Sequence, residues 1–171
     1  NVSGSTIEEY VEITKRFDSS GFAGIELNIS CPNVKKGGME FGNDPVMTAS
    51  VVSACRKATS KPIITKLSPN QSDIKKSAQA CVDSCTDGLS VINTISGIAI
   101  EMEKKEPVLG NRAGGLSGPA IKPLALLKVF DVFTVAQKYS VPILGQGGIS
   151  NASDAIEFIL AGATTVGVGT A

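Results

Sequence analysis

The chain has 171 residues, with 16 basic and 16 acidic side chains, 4 cysteines and no histidine, and 42% of it is apolar; this is the composition of an ordinary folded domain. A net charge near zero without a basic run excludes the electrostatic footprint of a nucleic-acid or acidic-membrane binder. The lack of histidine excludes Ser-His-Asp and Cys-His catalysis and every histidine-containing zinc site, so acid–base chemistry falls to Cys, Lys, Asp, Glu or Tyr.

In chain order, an amphipathic helix is predicted over 6–17, a strand over 24–29, a helix over 45–58, a strand over 62–67, a helix over 72–84 and a strand over 88–93. After an irregular stretch come a helix over 119–139, a strand over 142–145, a helix over 152–161 and a strand over 165–168. Short β-branched runs alternating with longer amphipathic ones are the pattern of βα units on a parallel sheet. Residues 95–118 break the rhythm with an apolar/charged alternation, a turn-like KKEP and then glycines. They read as a hairpin excursion over one rim, since loops of this length usually serve function. No apolar run approaches the roughly 20 residues of a membrane span, and no secretory signal opens the sequence. Sparse, unpaired cysteines point to a reducing cytoplasm.

Spacing alone leaves an open doubly wound sheet and a (β/α)8 TIM barrel equally possible. The barrel is favoured because polar and glycine-rich segments follow nearly every strand, which delivers chemistry to one rim from several strands. Five βα units are nevertheless too few to close an eight-stranded barrel of about 250 residues.

The richest segment is ELNISCPNVKKGG at 26–38. Asn28 and Ser30 share a strand face and Cys31 falls on the loop beyond. Asn28 offers both a donor and an acceptor to an amide-bearing ring. The competing view keeps Cys31 as a small buried hydrophobe and Pro32 as a strand terminator. Lys66 sits in an apolar strand, where its ammonium needs an anionic partner or a path to solvent. Asn93 and Thr94 form another polar pair at a strand end. Glycine turns at 145–149 and 167–171 follow successive strands, where a barrel commonly seats a phosphate on backbone N–H groups; the stretch 112–118 either adds donors or acts as a loop hinge. Cys55, Cys81 and Cys85 are expected to pack on helices.

Taken together, ELNISCPNVKKGG, KLSPN at 66–70, INT at 92–94, GGLSGPAIKP at 114–123, the Gly147-Gly148 pair and VGTA at 168–171 resemble class 1 dihydroorotate dehydrogenases. The loop at 34–38 and the opening NVSGS are most similar to the NAD-linked B subtype. The resemblance implies an FMN-binding (β/α)8 barrel, of which residues 1–171 form one partial domain covering strands four to eight, the C-terminal two-thirds. It implies FMN-dependent oxidation of dihydroorotate to orotate in pyrimidine biosynthesis. Cys31 would be the catalytic base, and Asn28, Asn33, Asn93 and Thr94 would bind substrate. Asn1, Asn28, Lys66, Ile92, Gly118, Gly147, Gly148, Gly169 and Thr170 would bind FMN, the last four around its phosphate. It further implies an oligomer and an electron-transfer subunit carrying FAD and an iron–sulfur cluster that passes electrons to NAD. No metal, nucleic acid or membrane is expected. About three further βα units, including a lysine at the site, are expected ahead of Asn1. The alternatives are the FMN/pyrimidine domain of a dihydropyrimidine dehydrogenase, which usually carries His where Asn33 stands, and a non-catalytic phosphate-ligand-binding barrel fragment.

Overall fold

The computed structural model describes residues 1–30 and 41–170. The chain runs through α1 (Ile7–Asp18), β1 (Ile25–Asn28), α2 (Pro45–Arg56), β2 (Ile63–Lys66), α3 (Ile74–Asp83) and β3 (Gly88–Val91). Four short strands follow, β4 (Ile95–Gly97), β5 (Ile100–Glu101), β6 (Glu106–Pro107) and β7 (Gly114–Leu116); then come α4 (Lys122–Ala136), β8 (Ile143–Gln146), α5 (Ala152–Leu160) and β9 (Thr165–Gly167).

Local chemistry sets these limits. Thr6, Asp44, Asp73 and Asn151 cap α1, α2, α3 and α5, each side chain accepting a backbone N–H of the first turn that would otherwise lack a partner. Because Asp73 takes the cap, α3 starts two residues later than the pattern suggests. The long helix expected over 119–139 is broken into a 3-10 turn (Pro119–Ile121), α4 and a second 3-10 turn (Gln137–Tyr139). Pro119 and Pro123 cannot donate to a regular ladder, and Ser140 leaves the helix in a left-handed conformation at φ +56°.

The main sheet is parallel, in the order β1-β2-β3-β8-β9. Strand order follows chain order without a reversal, whereas a doubly wound sheet reverses at a switch point. Consecutive helices pack side by side along this sheet, as on the outside of a (β/α)8 barrel. Val2 continues the sheet beyond β1, donating to Glu26 O and accepting from Asn28 N, both at 2.7 Å. On its far side β9 pairs with no strand among the described residues. Residues 95–116 form two antiparallel pairs, β5–β6 nested inside β4–β7.

The two faces of the sheet differ, as period-two alternation requires. Ile25, Leu27, Ile63 and Ile143 are buried in one apolar core with Val51 and Val52 of α2, Ala78 of α3, Val129 and Val132 of α4 and Phe158 of α5. Each of the Val, Leu, Ile and Phe side chains contributes about 1.5–3 kcal/mol by leaving water. Glu26, Asn28, Ile64, Lys66, Leu144 and Gln146 alternate with the buried set and are only partly covered. This second face is the barrel interior, and its polar end leads to the rim.

Cys55 and Cys81 pack in the core, and burial pushes the Cys81 thiol up to about 12. Cys85 departs from the helical packing expected of it: α3 ends at Asp83, and Cys85 is exposed in the turn at φ +63°. Gly145 shows how close the outer layer lies. A Cβ there would stand 2.8 Å from Phe158 Cδ1 and 2.9 Å from Ala163 Cβ. Gly145→Ala should therefore lower unfolding free energy by about 1–3 kcal/mol through overpacking, measured by urea denaturation; an unchanged midpoint would show that α5 yields freely.

Candidate active site

Register alone brings three polar side chains into line. Asn28 pairs with Lys66 and Lys66 with Ser90 across β1, β2 and β3, and paired residues on neighbouring strands share a face. Gln146, at the end of β8, reaches back and donates from Nε2 to Ser90 Oγ at 2.5 Å. The C-terminal ends of four adjacent strands thus present Asn28, Lys66, Ser90 and Gln146 to one side.

Above this row lies a cavity of about 170 Å³. Lys66 and Gln146 form its floor, and Ile92, Asn93 and Thr94 form one wall. The Ser117-Gly118 segment and Ile121 form another, and the glycine turns at 147–148 and 167–170 close it. Nine residues singled out in the sequence therefore meet here: Lys66, Ile92, Asn93, Thr94, Gly118, Gly147, Gly148, Gly169 and Thr170. Lys66 makes no ion pair among the described residues. A smaller cavity of about 80 Å³ adjoins it, shares Thr94, and is lined by Ser30, Asn70, Ser96 and the backbone at 113–115.

Asn28 lies beside these cavities at the centre of a hydrogen-bond cluster. Its Oδ1 accepts from Ser30 Oγ at 2.7 Å, Ser30 N at 3.3 Å and Asn93 Nδ2 at 3.2 Å. Asn93 Nδ2 also donates to Ser30 Oγ, and Asn93 Oδ1 accepts from Thr94 N at 2.8 Å. These bonds fix two carboxamides and a hydroxyl in one orientation. Asn1 sits elsewhere: its Nδ2 donates to Glu26 Oε1, and it lines a separate small cavity with Phe17 and Phe22. Cys31 and Asn33 lie outside the described residues.

The glycine turns have the properties of an anion cradle. Gly118, Gly147 and Gly148 have φ of +83°, +131° and +76°, conformations that side chains other than glycine rarely tolerate. Outside the strand ladders, the backbone N–H groups of Gly148, Gly169 and Thr170 are taken up by no partner among the described residues. Unpaired amides at glycine turns after successive strands suit a phosphate, and a lysine below them suits an electron-rich ring or an anion. The donor set thus fits a phosphorylated flavin such as FMN. Among the described residues no group of Asp, Glu, His or Cys could hold a metal ion, and no helix is long and apolar enough to cross a membrane.

Four participants escaped the sequence. Ser90 was hidden by burial within β3. Gln146 was overshadowed by the glycines after it. Ser117 reads as loop filler. Asn70 holds the start of the excursion, donating to Thr94 O at 3.1 Å and accepting from Ser96 N at 2.9 Å; its place in KLSPN, just past a strand end, was the available signal.

The family model described as dihydroorotate dehydrogenase matches residues 1–171. The chain is similar throughout to proteins named dihydroorotate dehydrogenase B (NAD(+)), catalytic subunit. It is 56% identical over 172 aligned positions to that of Pelobacter propionicus, 57% to that of Trichlorobacter lovleyi and 55% to that of Geotalea daltonii. All of this chain is aligned in each case, and it spans 55–56% of the length of these relatives. With a match from the first residue to the last, on a parallel sheet built as a barrel wall, the chain belongs to the dihydroorotate dehydrogenase family.

Proposed function

We propose that this chain forms the cofactor- and substrate-binding rim of an FMN-dependent dehydrogenase that oxidises dihydroorotate to orotate in pyrimidine biosynthesis. The observation that carries this reading is the cavity in which Lys66, residues 92–94 and the two glycine turns meet. The names of the relatives supply the reaction.

In this reading the N–H groups of Gly147, Gly148, Gly169 and Thr170 hold the phosphate, with Gly118 leaving room beside them. Ile92 packs against the ring system, and Lys66 offsets negative charge that develops there. Asn28, Asn93 and Thr94 hold the pyrimidine edge by donor and acceptor pairs, and Asn33 holds its carboxylate or ring amide. Cys31 takes the proton from the carbon alpha to the ring carbonyl, as a thiolate on a loop can. FMN, when bound, supplies the hydride acceptor that no side chain provides. Asn1, which does not line this cavity, would add a further FMN contact from the strand segment that pairs with β1.

The words "catalytic subunit" and "NAD(+)" in the relatives' names support a separate electron-transfer subunit as partner. That partner would carry FAD and an iron–sulfur cluster, because the chain has neither a dinucleotide fingerprint nor a cysteine cluster for reaching NAD alone. The assembly would work in the cytoplasm.

The test compares dihydroorotate with dihydrouracil as reductants of the full-length protein under anaerobic conditions. Rapid bleaching of bound flavin by dihydroorotate and none by dihydrouracil is the expected result. The reverse preference would move the assignment to the dihydropyrimidine dehydrogenases, and a protein that retains no flavin would make it a non-catalytic barrel.

A further inference from the structure

The turn carrying Gly147 and Gly148 is wedged between the starts of two helices. A Cβ on Gly148 would stand 2.6 Å from Gly118 O and 3.0 Å from Lys122 N, so this backbone rests directly against the entry to α4. On its other side the chain passes through Ser150 and Asn151 into α5. One carboxylate ties that passage together: Asp154 Oδ2 accepts from Ser150 N and Ser150 Oγ, both at 2.9 Å, and from Asn151 N at 3.2 Å.

Lys122 joins the two sides. From the first residue of α4 its Nζ donates to Asp154 Oδ1 at 2.6 Å and to Glu157 Oε1 at 3.2 Å. The Lys122 and Asp154 side chains are 25% and 8% exposed, against 76% and 63% for Arg16 and Glu12. Exposed pairs are weak because water screens them, whereas this pair is shielded and hydrogen-bonded at both oxygens of the carboxylate. Lys122 and the Ser150 donors hold the Asp154 carboxyl well below the usual carboxylate range, so both partners stay charged at neutral pH.

We propose that Lys122 is a positioning residue for the phosphate end of the cofactor. Paired with Asp154, it fixes the gap between α4 and the 147–151 turn, so that the Gly147 and Gly148 amides keep their aim into the cavity. It also offsets the negative charge of a carboxylate that lies in the first turn of α5, just after the glycine turn. The inference rests on the reading of the cavity as an FMN site, and it concerns the phosphate alone.

The experiment is a titration of the full-length apoprotein with FMN and, separately, with riboflavin, which lacks the phosphate. Lys122→Met should raise the Kd for FMN by about tenfold, the scale on which loss of a supporting partner acts on a bound group, and leave the Kd for riboflavin unchanged. Lys122→Arg should restore FMN binding, and adding Asp154→Asn to Lys122→Met should recover part of the loss by removing the uncompensated charge. Equal weakening of both ligands, or a lowered Tm with FMN affinity intact, would overturn the inference while leaving the site assignment standing. A wild-type protein that binds neither ligand would overturn the assignment and the inference together. Should Lys122→Met fail to fold, Asp154→Asn alone, which keeps the shape and removes the charge that Lys122 grips, should also weaken FMN selectively; equal effects on both ligands would again overturn the inference.

Discussion

On the proposed function, Cys31→Ala in the full-length protein should retain FMN yet oxidise dihydroorotate more slowly by a factor of about 10²–10⁴, the usual worth of a positioned general base. In the proposed site the phosphate is held at 147–148 and 169–170, far along the chain from Cys31, so cofactor binding and proton removal should be separable. A thiol must be ionised to act as base, so the wild-type rate should rise with pH toward the thiolate pKa. Cys31→Ser, with a hydroxyl of higher pKa, should need more alkaline conditions than the wild type. Stopped-flow measurement of flavin bleaching reads both effects, and a near-normal rate for Cys31→Ala would remove Cys31 from the chemistry.

Gly148→Val is the second large effect. The residue sits at φ +76°, and a Cβ would press on Gly118 O and Lys122 N at 2.6 and 3.0 Å. Both contacts are backbone, so neither can rotate away. The turn must open, and its amides then lose their common target. FMN Kd should rise by two orders of magnitude or more, a loss of about 3 kcal/mol. Gly162 makes a poor comparison, since φ +111° and a Cβ 2.3 Å from the Phe133 ring would damage the fold itself. Gly21, with nothing within 4 Å of a Cβ, is the proper control, and Gly21→Ala should bind FMN normally. Equal FMN affinity in Gly148→Val and Gly21→Ala would sink the phosphate assignment.

The order of strands and helices was legible because burial on one sheet face leaves a period-two record in segments such as 62–67, while the helices between carry a 3.6-residue record. Ends were less legible. Asp73 and Pro123 act through single hydrogen bonds, given or withheld, which hydrophobic patterning does not register. At the site, Lys66 and the glycine pairs stood out because each is anomalous locally: a charge within an apolar strand, or a residue that only special backbone conformations require. Ser90 and Gln146 gave no such signal. Their meeting depends on the β3–β8 pairing, which joins strands separated by the whole excursion and α4. The Lys122–Asp154 brace was hidden for the same reason, spanning 32 positions between two helices that each look self-sufficient. Asn1 was legible through its motif position alone, which suggests a cofactor contact; in the structure its side chain donates to Glu26.

The most direct measurement is a crystal structure of the full-length protein with FMN bound. The account predicts the phosphate within hydrogen-bond distance, about 2.7–3.2 Å, of the backbone nitrogens of Gly147, Gly148, Gly169 and Thr170, with the Lys66 ammonium against the ring system. A phosphate seated elsewhere, or a flavin bound away from the C-terminal ends of β2, β3, β8 and β9, would contradict it.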